Sequence, residues 1–102
     1  MVTVVVQKWE ESELGWGVRP DGYSLHLSEA GRDAYINRYW ESMPDSAPQE
    51  YERPCGSPYL ADVPEEVAAK IRASNDGFGY RVYDNVYPGS GGTDGWVNAS
   101  QR

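Results

Sequence analysis

The first hydrophobic positions of the chain form an almost continuous run. Thr3 is the single interruption between Val2 and Val6, and the run ends near Trp9. Runs of β-branched residues like this are typical of strands that are buried on both faces. We therefore predict a central strand here, followed by a charged connector at residues 10–13.

A second apolar stretch is interrupted by glycines and then by a turn motif. Residues 14–18 contain two glycines, which predicts an irregular strand. Pro20-Asp21-Gly22 combines residues that favour tight turns, so we predict a chain reversal there. After the turn, Tyr23, Leu25 and Leu27 alternate with polar residues, which indicates a strand with one buried face.

The longest helical pattern follows this strand. Ser28 is a good N-cap, and Glu29 falls in the first turn, where the helix dipole favours an acid. We predict a helix from Glu29 to Ser42, closed by Pro44. Its large apolar residues are spaced i, i+3, i+4 and i+7, and we predict that they form the centre of the core: Ile36, Tyr39, Trp40 and Met43.

The second half of the chain begins without periodicity. Four prolines recur between residues 43 and 58, which predicts a loop of about fifteen residues. Pro64 suits the first position of a helix, and the spacing of Val67 and Ile71 extends that helix to Ser74. The last strand is predicted within residues 78–87.

These elements predict an α+β fold. We expect a small, mainly antiparallel sheet of about four strands with two helices packed on one face. The domain should cover residues 1–88, and the glycine-rich residues 89–102 should form a flexible tail.

Composition narrows the range of functions. The 102 residues carry 9 basic and 16 acidic side chains, a formal net charge of −7. Nucleic-acid binders need clustered Lys and Arg, so we expect no direct contact with nucleic acid. Cys55 is the only cysteine, and no apolar run is long enough for a signal peptide or a membrane span, so we predict a cytoplasmic protein.

Candidate catalytic chemistry is sparse. His26 is the only histidine, which argues against a zinc site, and we predict no metal, no cofactor and no catalytic residue. One alternative is a small enzyme or ligand-binding protein that uses His26 with Arg19 and Tyr23. A second alternative is a structural protein of a phage or mobile element that self-associates through exposed aromatic residues, and a homodimer is compatible with either reading.

Acidic residues concentrate in one quarter of the chain. Residues 41–66 contain seven carboxylates and one arginine, a local charge of −6. Tyrosines lie among them, and tyrosine is a favoured interface residue because it offers a large contact area with few torsions to freeze. We predict a partner-binding surface made of Glu41, Asp45, Glu50, Tyr51, Glu52, Tyr59, Asp62 and Glu65. Its partner should be a protein or ribonucleoprotein with a basic surface.

The whole chain also resembles a functional class. A short, acidic, tyrosine-rich domain looks like the small inhibitors that phages and mobile elements direct against host defence, anti-CRISPR proteins included. The segments at residues 19–23 and 51–56 look like those of mobile-element proteins. The resemblance implies blockade of a nucleic-acid-guided complex in the host cytoplasm, without membrane contact, and it assigns no individual residue.

Overall fold

A computed structural model describes residues 1–13, 17–43, 51–74, 77–85, 87 and 97–98. Their elements in chain order are β1 (Val2–Glu13), β2 (Gly17–His26), α1 (Glu29–Glu41), β3 (Tyr51–Val63), α2 (Glu65–Arg72), β4 (Tyr80–Val82) and β5 (Val97–Asn98). The strands form one antiparallel sheet in the order β4-β2-β1-β3-β5. The predicted α+β class and antiparallel sheet are confirmed, with β1 at the centre.

Strand β1 is longer than predicted, because residues 10–13 continue it. Glu10 pairs with Arg53 of β3, and Glu11 pairs with Arg19 of β2, both in register and through their side chains. The predicted solvated connector is therefore wrong. Arginines on the neighbouring strands neutralise its acids, which lets the acidic stretch remain in the sheet.

The even-numbered residues of β1 lie on the face that holds the hydrophobic core. Val4 and Val6 pack there with Leu25, with β3 and with Ile71 of α2. Residues that are directly opposite in neighbouring strands share a face, so the register extends this apolar face across the sheet. We call it the even face.

The odd-numbered residues of β1 lie on the opposite face, which α1 covers. The Trp9 ring packs edge-on against Tyr35 and Tyr39, and Gln7 accepts a hydrogen bond from Arg32. We call this the odd face. Successive side chains of a strand point to opposite sides of the sheet. Helix α1 contacts odd-numbered residues of β1, whereas Ile71 of α2 packs with the even-numbered Val4 and Val6. The contacts therefore do not support the prediction that both helices pack on one face.

Helix α1 confirms the predicted cap and start. The Ser28 hydroxyl accepts a hydrogen bond of 3.0 Å from the Gly31 amide, and the helix runs to Glu41. The predicted core stripe is wrong, because no residue of α1 is buried and Trp40 is 41% exposed. A different stripe, at i, i+3 and i+7, meets the sheet: Arg32, Tyr35 and Tyr39.

The predicted reversal at Pro20-Asp21-Gly22 is also wrong, because these residues lie within β2. These three residues instead lie where the pairing of β2 with β1 is irregular, opposite the stretch of β1 between Lys8 and Glu10. Gly22 has φ of +76°, and a Cβ there would clash with the Val82 carbonyl oxygen. Pro20 is tolerated because β4 pairs only with residues 23–25, so the proline lies on an open edge.

The prediction of a proline-rich loop between residues 43 and 58 is wrong for its second half. Residues 51–58 belong to β3, whereas 44–50 lie outside the described residues. Strand β3 pairs with β1 on one side, and β5 covers its other side only at Ala61 and Asp62. No other described strand covers that side, so Pro54 and Pro58 sit on an edge that is open in the described part of the chain, where a missing N–H costs no hydrogen bond to a further strand.

The remaining elements are shorter than predicted. Helix α2 ends at Arg72, with Pro64 at its N-cap, and β4 covers three residues of the predicted strand at 78–87. Of the predicted tail at 89–102, only Val97–Asn98 is described, and it pairs with β3; the rest lies outside the described residues. Neither α1 nor α2, nor any other helix in the described part, is long and apolar enough to cross a membrane.

Candidate functional site

The only histidine belongs to a chain of buried hydrogen bonds on the odd face. The Trp9 indole N–H donates to the Ser24 hydroxyl oxygen at 2.8 Å, and that oxygen lies 2.7 Å from His26 Nε2. His26 Nδ1 lies 2.8 Å from the Phe78 carbonyl oxygen. Trp9, Ser24 and His26 are all 0% exposed.

The partners assign the direction of each bond. A carbonyl oxygen only accepts, so His26 Nδ1 carries the proton and donates to Phe78. His26 Nε2 then accepts from Ser24, whose oxygen accepts from Trp9. Each of these polar groups is satisfied inside the protein, which ties β2 to the segment that precedes β4.

The structure does not assemble the alternative site around His26. Tyr23 belongs to the core cluster of the even face, opposite His26. The Arg19 side chain is 63% exposed and pairs with Glu11 and Glu13. Neither residue therefore faces the histidine, and the Ser24–His26 pair stabilises the interior of the fold.

A second polar cluster on the odd face centres on Arg81 of β4. Its guanidinium lies 3.0 Å from the Glu52 carboxylate, and it also contacts the Asp21 carboxylate at 3.3 Å and the Asp21 carbonyl oxygen at 2.6 Å. It stacks over the rings of Trp9 and Tyr83, at 4.7 and 4.6 Å from their centroids. Only 10% of the Arg81 side chain is exposed.

The Arg81 cluster changes the acidity of Glu52. Burial and the neighbouring Asp21 carboxyl raise the pKa of Glu52 to about 7, although Arg81 acts in the opposite direction. Two carboxylates that share one guanidinium repel each other when both are ionised, so the pair retains a proton more readily than a solvated acid. Perturbed carboxyls of this kind are found in functional sites and in structural ion-pair networks alike.

The Tyr39 hydroxyl fixes the backbone of Glu52. It donates to the Glu52 carbonyl oxygen at 2.5 Å and accepts from the Glu52 amide at 3.0 Å. Burial raises the pKa of Tyr39, so its hydroxyl stays protonated and keeps the donor role. These two hydrogen bonds hold the beginning of β3 against α1.

The predicted partner-binding residues fall into separate groups. Glu41 ends α1, and Tyr51 and Glu52 begin β3, whereas Asp62 lies near the end of β3 and Glu65 begins α2. A strand rises about 3.3 Å per residue, so Glu52 and Asp62 are separated by roughly 30 Å. Asp45 and Glu50 lie outside the described residues.

Several of these residues are engaged within the fold. Glu52 binds Arg81, buried Asp62 accepts a hydrogen bond of 2.6 Å from Thr3, and Glu65 pairs with Arg72 at 2.7 Å. Tyr59 packs against the core of the even face, and burial raises its pKa to about 12. Counting charges along the chain missed Arg81, because its partners are distant in sequence.

Trp40 and Tyr83 are aromatic residues outside the predicted set that reach the surface, and Trp40 is the one that contacts a predicted residue, Tyr51. Trp40 lies between Tyr39 and Tyr51, with ring centroids 5.1 and 6.3 Å away, and Tyr39 in turn contacts Trp9. The next residue of α1, Glu41, is exposed and makes no ion pair with any described residue. We call Trp40, Glu41 and Tyr51 the Trp40 surface. The helical period had identified Trp40, but as a core residue.

Among the described residues, no three His, Cys, Asp or Glu side chains are grouped so that they could hold a metal ion. The candidate functional site is the Trp40 surface, which Tyr39 connects to Trp9 on the odd face. No model of a protein family matches the chain, and neither a curated protein nor a solved structure shows significant similarity to it.

Proposed function

We propose that the protein is a binding inhibitor of a nucleic-acid-handling defence complex in a host cell, of the anti-CRISPR type. It would act in the cytoplasm by covering a basic protein surface, as expected of a protein from a phage or mobile element. The observation that carries the proposal is the Trp40 surface, where an exposed tryptophan lies between tyrosines and is followed in α1 by the exposed residue Glu41.

The composition of this surface suits a binding hot spot. Trp and Tyr dominate the few residues that carry most of the energy of protein interfaces. The Trp40 ring already packs against Tyr39 and Tyr51, so binding would cost little additional side-chain entropy. A partner guanidinium could stack on Trp40 while it pairs with Glu41.

Charge supports a basic partner. The net charge of −7 favours rapid association with an Arg- or Lys-rich groove and disfavours direct contact with nucleic acid. Glu41 is the described member of the predicted acidic set that is both exposed and without an ion pair to another described residue. Its carboxylate is therefore available without breaking an internal contact.

The first experiment is affinity capture from host lysate at low and at high salt, with mass spectrometry of the retained proteins. We expect a nucleic-acid-guided complex whose retention weakens as salt screens the charges. Retention of nothing at either salt would contradict the proposal. If the tagged protein captures only untagged copies of itself, and if its mass in solution rises with its concentration, the self-associating alternative is favoured.

Two pairs of variants locate the surface. Trp40→Ala and Glu41→Lys should each abolish or strongly weaken capture, because they remove the aromatic anchor and reverse the free charge. The controls are Leu60→Ala and Glu66→Lys, which change an exposed apolar residue and an exposed acid elsewhere. Equal losses in the variants and their controls would rule out this surface as the binding site.

A further inference from the structure

The even face carries a cavity that the proposed function does not use. Helix α2 packs over the half of this face that holds Val4 and Val6. Toward the other end of β1, a groove of about 290 Å³ opens, lined by Lys8, Trp9, Glu10, Val18, Arg19, Pro20, Cys55 and Tyr87. This volume lies at the lower limit of typical small-molecule sites.

The register shows which of these residues belong to the even face. Lys8 pairs with Tyr23 and Cys55, and Glu10 pairs with Pro20. Tyr23 is part of the core cluster, so the side of Lys8 and Cys55 is the even face. The groove therefore continues the hydrophobic core outward, on the side of the sheet opposite to α1.

Its charges favour an anion. The Lys8 ammonium lies 4.7 Å from the centroid of the Tyr87 ring and makes no ion pair with any described residue. Glu10 is already neutralised by Arg53. Arg19 is paired with Glu11 and Glu13, so Lys8 is the charged side chain of the groove that has no ion-pair partner among the described residues.

Its walls favour an apolar ring. Val18 is 48% exposed, and it lines the groove together with Pro20 and the Tyr87 ring. Aromatic rings pack well at an edge or an offset against tyrosine. Burial raises the pKa of Cys55, so its sulfur is mostly a neutral thiol at neutral pH and forms part of the apolar wall.

We propose that this groove binds a small aromatic carboxylate, with the carboxylate on the Lys8 ammonium and the ring between Val18, Pro20 and Tyr87. The site is independent of the Trp40 surface. A ligand of about ten heavy atoms in such an open groove should bind with a Kd of roughly 1 mM.

Cys55 provides a direct measure of occupancy, because it is the only cysteine in the chain. Phenylacetate is the probe, and 2-phenylethylammonium is the control of similar shape and opposite charge. At about 10 mM, phenylacetate should slow alkylation of Cys55 by N-ethylmaleimide about tenfold, and the amine should not. Amide shifts in NMR titrations should move at Lys8, Val18 and Cys55. No protection, or equal protection by both probes, would overturn the proposal.

A matched pair of lysines tests the charge. Lys8→Met should weaken phenylacetate binding about threefold to fivefold, in line with an exposed ion pair. Lys70 also lies over a tyrosine ring, 5.8 Å from Tyr80, but does not line the groove, so Lys70→Met should leave binding unchanged. Val18→Glu should block the groove. Unchanged binding in both Lys8→Met and Val18→Glu would refute the site.

Discussion

The two faces of the sheet are stabilised in different ways. The even face is an apolar cluster in which strand residues pack with Ile71 of α2. The odd face buries Ser24, His26 and most of Arg81 under α1, and it depends on hydrogen bonds and ion pairs. Apolar area tolerates small shifts, but a buried polar group is costly as soon as one partner is lost.

The largest effect should come from the odd face. Arg81→Met leaves the carboxylates of Asp21 and Glu52 together without their cation, and the free energy of unfolding should fall by about 4 kcal/mol at pH 8. Chemical denaturation would measure this loss. The triple variant that adds Asp21→Asn and Glu52→Gln should recover much of it. Equal losses with and without the two acids would show that packing, rather than charge, is the cause.

On the even face, Leu25→Ala should lower the free energy of unfolding by about 3 kcal/mol, because Leu25 is fully buried and truncation leaves a cavity. Denaturation at pH 5 and pH 8 should give the same loss, whereas the loss for Arg81→Met should shrink at pH 5, because the carboxyl of Glu52, whose pKa is raised to about 7, is then protonated. A Leu25→Ala loss that varies strongly with pH would contradict the separation of the two faces.

Ser24→Ala should cost about 2 kcal/mol, because it leaves the Trp9 N–H and His26 Nε2 without partners in the interior. Ser57→Ala is the control at an exposed position of β3 and should change stability by less than about 0.5 kcal/mol. Thermal and chemical unfolding would compare the two. A neutral Ser24→Ala variant would mean that the buried network contributes little.

The smallest effect is a pH dependence carried by Glu52. The folded state raises its pKa from 4.5 to about 7, so the folded protein binds this proton more tightly than the unfolded chain. The resulting stability is complete below about pH 4.5 and is lost as the pH rises through 7. Allowing for screening by solvent, we expect the wild type to lose about 1 kcal/mol from this group between pH 5 and 8.

Glu52→Gln should remove that pH dependence, because the amide imitates the protonated acid. Glu66→Gln, at an exposed position of α2, should leave it in place. Denaturation midpoints measured across the pH range for the wild type and both variants would decide. Parallel curves for the wild type and Glu52→Gln would assign the pH dependence to other groups.

Local signals accounted for the helices and the central strand. Ser28 caps α1 through its own hydroxyl, the spacing of Val67 and Ile71 predicted α2, and the β-branched run predicted β1. Each of these depends on residues within a few positions of one another. The candidate site was less predictable, because the sequence identified Glu41 and Tyr51 as surface residues but placed Trp40 in the core.

By itself, the sequence determined the α+β class, the start of α1 and the acidic character of the protein. Tertiary pairing decided that Pro20-Asp21-Gly22 and Pro54 are strand residues, since an open edge tolerates a proline that a central strand would not. It also decided that Glu52 is an internal partner of Arg81. Local propensities act over a few residues, but sheet edges and ion pairs are created by segments that are distant in the chain, and only the folded structure brings them together.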